Sequence, residues 1–113
     1  MSKITHLSGL EVLDSRGNWT IAAQLGLDGD NFISASVPAG ASVGAFEKKT
    51  VSAKSAVSNI NGLLNSRLLG SEFENQKCFD QFLINFDADP ERSSLGANTM
   101  LALSMAFAKA QSL

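Results

Sequence analysis

The chain has 113 residues, a mass of 11.9 kDa and a formal net charge of −2, a length that suits one domain. Apolar residues make up 44% and charged residues 18%, which is globular rather than disordered composition. Nine Lys and Arg against eleven Asp and Glu leave no basic footprint, so no nucleic-acid partner is expected.

Other classes drop out on similar grounds. No stretch nears the roughly 18 apolar residues of a membrane helix, so no membrane partner is expected. One His and one Cys, far apart, exclude a zinc cluster. Tyr is absent, which removes one common acid or base. The lone Cys78 cannot form an internal disulfide, and Met1-Ser2-Lys3-Ile4 shows no signal-peptide pattern. A cytoplasmic, reducing location is the expectation.

Ile4 to Leu13 reads as a first strand, ended by the turn-forming cluster Asp14-Ser15-Arg16-Gly17-Asn18. Trp19 to Leu27 alternates from Ile21 onward, with period two. Asp28-Gly29-Asp30-Asn31 is a hairpin turn. Phe32 to Val37 is a third short strand, ended by Pro38. Three strands joined by short turns predict an antiparallel meander.

Pro38-Ala39-Gly40-Ala41-Ser42-Val43-Gly44 is small-residue loop sequence and predicts a mobile connector. It lacks the spacing of a P-loop, since Gly44 is followed by Ala45-Phe46. Its amides could cradle an anion, or the segment could be a plain connector. Ser42 is either a weak oxygen ligand for a hard cation such as Mg²⁺ or a solvated serine. Glu47 is either a metal or hinge carboxylate or a surface charge near a helix start.

The remainder predicts helices. Ala56, Val57, Ile60 and Leu64 form one stripe over Ala53 to Leu64. Ser71-Glu72-Phe73-Glu74 fits a capping box with Ser71 as N-cap. Phe79, Phe82, Leu83 and Phe86 follow helical spacing behind it. Asp87 to Ser94 reads as a loop. Leu95 to Leu113 is small and apolar, with Ala97, Leu101, Ala102, Met105, Ala106 and Ala110, and reads as an Ala-rich helix that neighbours can approach closely, hence central. The expected fold class is α+β: a three-stranded antiparallel meander with helices packed on one face. One domain spans 1–113, with strands over about 3–37, a loop over 38–47 and helices over about 50–113.

Among the polar residues, Asp14 and Arg16 flank a turn and could pair locally. His6 is expected to be a structural strand histidine, and Cys78 a partly buried, inert thiol. No nucleophile–base pair is legible, so no catalytic residue is assigned.

Three segments together resemble one family. Leu13-Asp14-Ser15-Arg16-Gly17-Asn18-Trp19-Thr20 is similar to the DSRGNPT segment of enolases. Val37-Pro38-Ala39-Gly40-Ala41-Ser42-Val43-Gly44 resembles their PSGASTG loop. Ser94-Leu95-Gly96-Ala97-Asn98-Thr99-Met100-Leu101 resembles their LGANAIL helix start. The resemblance covers essentially the whole chain but only the N-terminal domain of an enolase.

What the resemblance implies is a lid. Enolases dehydrate 2-phosphoglycerate to phosphoenolpyruvate, a lyase reaction of glycolysis, on a C-terminal barrel that this chain does not contain. The base and the first metal's carboxylates lie on that barrel. The loop Pro38, Ala39, Gly40, Ala41, Ser42, Val43 and Gly44 would close over the substrate, and Ser42 would bind the second Mg²⁺. Asp14, Arg16 and Glu47 would support it. The chain alone would be inactive.

Several positions depart from the family pattern. Trp19 replaces a Pro, Ala39 a Ser and Val43 a Thr. Ala22 stands where many enolases carry a Glu at the dimer contact, which leaves a homo-oligomer open. Between Glu47 and Ala53 the chain is about eleven residues shorter than the family. The alternative reading is a stand-alone, enolase-like interaction module without catalysis. A barrel-encoding frame immediately downstream would favour the enzyme domain.

Overall fold

β1 (Ser2–Leu13), β2 (Trp19–Leu27) and β3 (Ile33–Ser36) form the antiparallel meander. The computed structural model describes residues 1–38, 50–87 and 95–112. At the β2–β3 turn, Asp28 and Gly29 both have positive φ, 55° and 82°, and Asp30 N donates to Leu27 O at 2.9 Å. Two successive left-handed residues match the right-handed twist of the flanking strands. In β1 the register shifts between Ile4 and His6. The extra residue lets Ile4 and Leu7, three apart, both point into the core.

The sheet has four strands, in the order β3-β2-β1-β4, rather than the three expected. β4 (Glu72–Phe73) pairs antiparallel with Ser2 and Lys3. It forms because the chain turns at Gly70 (φ 87°) and runs back along β1. Gly70 N donates to Ile4 O and Ile4 N donates to Ser71 O. Two residues are too short a run for alternation to reveal.

One sheet face carries Leu7, Ile21, Ala23, Leu25 and Ala35, all buried. The opposite face carries His6, Ser8, Leu10, Gln24, Ser34 and Ser36. The helices cover the first face. α1 (Ala53–Asn59) runs on through a π-helical turn (Ile60–Leu64) into α2 (Asn65–Leu68). Ser52 caps α1 by accepting from Ser55 N. Ala56, Ile60 and Leu64 are buried as their spacing predicts, and the stripe continues to Leu68.

α3 (Gln76–Asp87) begins later than the capping box implied. Its cap is Asn75, whose Oδ1 accepts from Cys78 N at 2.9 Å. Ser71 instead donates to Arg67 O at 2.8 Å, because its neighbours are taken into the sheet. Phe79 stacks on Phe107 with centroids 4.3 Å apart, and Phe73 meets both edge-on. Such pairs each add about 0.5–1.5 kcal/mol beyond burial. Cys78 is exposed, not partly buried, since it lies on the side of α3 away from Phe79 and Leu83.

α4 (Ala97–Gln111) packs across β2 and β3 as the central helix. Its inward residues are Ala97, Met100, Ala102, Leu103, Ala106 and Phe107. Met105 is exposed and Leu101 is half-buried. A helix apolar on nearly every side does not announce which face is inner. Among the described residues no helix is long and apolar enough to cross a membrane.

Candidate functional site

The loop residues Ala39, Gly40, Ala41, Ser42, Val43 and Gly44, with Glu47, lie outside the described residues. The structure does describe where that segment leaves the fold and where it returns. Val37, the residue before Pro38, is buried at 2% exposure while Pro38 is exposed. Thr20 is buried beside it and donates its hydroxyl to Val37 O at 2.6 Å. The first root of the loop is therefore tied to the start of β2.

The second root is tied to α4. Val51 N donates to Asn98 Oδ1 at 3.0 Å, and Asn98 Nδ2 donates to Val51 O at 2.9 Å. Gly96 makes this approach possible. It has φ 90°, and a Cβ there would lie 2.6 Å from Val51 Cγ2.

Both roots lie at one end of the sheet. β1 ends, β2 starts and β3 ends there. The helix from Ala53 passes Gly9 at Asn61 and Leu7 at Asn65. It thus runs against β1, and its start points to the same end.

That end also carries Asp14 and Arg16. Asp14 Oδ1 accepts from Arg16 N and Asn18 N, both at 2.9 Å, and Asp14 N donates to Asn18 O. The carboxylate thus builds the turn through its backbone. The Arg16 side chain is exposed. Beside the turn, Leu13 and Trp19 are cross-strand partners, 57% and 62% exposed.

The remaining polar candidates are structural. His6 stacks on Phe32 at 4.6 Å, and its Nε2 lies 3.4 Å from Ser8 Oγ. Ser8 gives its hydrogen to Gln24 Oε1 at 2.8 Å, so His6 does not activate it. No group of three or more His, Cys, Asp or Glu among the described residues could hold a metal ion.

Sequence reasoning passed over Thr20, Gly96 and Asn98 as the residues that fix the loop. A buried-looking Asn and a Gly at the start of an apolar helix were the available signals.

The chain matches the family model described as "Enolase, N-terminal domain" over residues 4–113. It is also similar to the enolases of two strains of Methanococcus maripaludis, 38% and 39% identical over 117 residues. Those matches cover 95% of this chain and 28% of each relative, so the chain spans little more than a quarter of their length. The chain belongs to the enolase N-terminal domain family.

Proposed function

We propose that these residues form the lid-bearing N-terminal domain of an enolase that dehydrates 2-phosphoglycerate to phosphoenolpyruvate. The observation that carries the reading is the anchoring of both loop roots, by Thr20 and by Asn98, at one end of the sheet. A segment held firmly at both ends can swing between two positions without disturbing the core. Closure of residues 38–47 over a bound substrate excludes water and completes the site.

In this reading the base and most metal ligands belong to a C-terminal barrel, which is the partner of this domain. Ser42 would contribute its hydroxyl oxygen to the second Mg²⁺, an ion that offsets negative charge on the substrate when bound. In the same reading Asp14 and Arg16 support the lid by shaping the turn at Asp14–Asn18, and Glu47 is a further supporting carboxylate. The exposed Leu13–Trp19 pair suits a face that the barrel covers. A homo-oligomer is compatible with the same face, and the lone thiol suits the cytoplasm.

The test is a domain exchange. The 113 residues alone should not turn over 2-phosphoglycerate. Joined to the barrel of a Methanococcus maripaludis enolase, they should support dehydration. Turnover by the isolated chain, or a folded and inactive chimera, would overturn the reading and favour a non-catalytic interaction module.

A further inference from the structure

Asn61 and Gly62 are adjacent and both exposed, in the π-helical turn that lies along β1. Asn61 holds the strand edge at two points. Gly9 N donates to its Oδ1 at 2.9 Å, and its Nδ2 donates to Gly9 O at 3.0 Å. Next along the edge, Asn65 Nδ2 donates to Leu7 O at 2.7 Å. The two side chains cover backbone groups that would otherwise form an open strand edge.

An asparagine followed by glycine is chemically labile. The Gly62 nitrogen can attack the Asn61 side-chain carbonyl carbon. The bond from that carbon to the side-chain nitrogen breaks, and ammonia leaves with the proton from Gly62. The five-membered succinimide then adds water at either carbonyl, giving aspartate or isoaspartate. Water is the only co-reactant. Glycine favours ring closure because no side chain obstructs it and its backbone is freely rotated.

We infer that Asn61–Gly62 is a deamidation site gated by the contact between the π-helical turn and β1. While Asn61 is held by Gly9 and the backbone stays helical, the ring cannot close. Release of the turn from β1 permits it. The product cannot re-form the contact, because a carboxylate oxygen replaces Nδ2 and faces the Gly9 carbonyl, acceptor against acceptor. A transient opening is thereby made permanent, and the edge of β1 near Gly9 is left uncovered.

The test holds the folded protein at mildly alkaline pH beside the same protein in urea, with conversion at Asn61 read by peptide mass mapping. Folded conversion should be at least about tenfold slower, as for other reactions that need local opening. Gly9→Ala would place a Cβ 3.0 Å from Ile60 Cβ, force the two elements apart and speed conversion in the folded state. Gly62→Ala meets nothing within 4 Å and should slow conversion in both states. Equal rates for the native protein in buffer and in urea would overturn the proposal, as would an unchanged rate in folded Gly9→Ala. Should Gly9→Ala fail to fold, Asn61→Asp decides. It should lower the urea midpoint and speed exchange of the Gly9 amide at neutral pH. Both effects should shrink in acid, where the protonated carboxyl again donates to Gly9 O. Unchanged Gly9 exchange would overturn the proposal.

Discussion

The Asn98 side chain and the Val51 backbone close a ring of two hydrogen bonds, 3.0 Å from the Val51 amide and 2.9 Å to its carbonyl. Asn98 is 5% exposed, so little water competes for either bond. Asn98→Ala leaves a half-buried amide and carbonyl without partners. The expected loss is about 2–3 kcal/mol of folding stability, read from the urea midpoint at unchanged m-value. Amide exchange at Val51 should speed up in parallel. A midpoint within error of the native protein would show that the loop root is not held by this pair.

Two glycine substitutions should act with opposite signs. Gly96→Ala combines a left-handed φ of 90° with a Cβ only 2.6 Å from Val51 Cγ2. A loss of about 2–4 kcal/mol follows from strain and overpacking together. Gly62→Ala adds a methyl in open space on a helical backbone. It should raise stability by about 0.5–1 kcal/mol. Thermal denaturation of the two variants beside the native protein checks both signs.

Thr99 is fully buried, and its hydroxyl has no hydrogen-bond partner among the described residues. The enolase segment that this stretch resembles carries Ala at that position. Thr99→Val keeps the shape and removes a polar atom that lost its water on folding. Stability should rise by about 1 kcal/mol. A fall of similar size would reveal a partner for the hydroxyl.

The meander was legible because alternation in β2 and the turn sequences Asp14–Asn18 and Asp28–Asn31 act locally. Ala56, Ile60 and Leu64 were legible because a helix half-covered by solvent keeps a clear period. Other features depend on tertiary context. β4 exists only because Gly70 folds the chain back onto Ile4. Ser71 loses the cap to Asn75 for the same reason. The inner face of α4 is set by what surrounds it, and Leu103 and Phe107 are fully buried there while Met105 is exposed. At the candidate site the loop composition was visible, but its anchors were not. Thr20 and Asn98 act across 17 and 47 residues of sequence, beyond any local pattern.

The final prediction concerns Ser42. A serine hydroxyl stays protonated near neutral pH, so it does not serve as a base, and it is a weak nucleophile without an activating base. If it acts, it acts as an oxygen ligand that arrives when the loop closes. Mg²⁺ holds a near-octahedral oxygen shell and accepts water in place of a lost ligand. Ser42→Ala in the barrel-joined protein should therefore leave folding unchanged and raise the Mg²⁺ concentration needed for half-maximal rate. kcat should fall as well, by about tenfold or more, because the interaction is stronger in the transition state than in the ground state. Ser42→Thr keeps an oxygen and should recover part of the loss. Rate against Mg²⁺ concentration for the three proteins, with circular dichroism as the folding control, gives the answer. Identical metal dependence in all three would reduce Ser42 to a solvated loop serine and remove the metal from the lid's role.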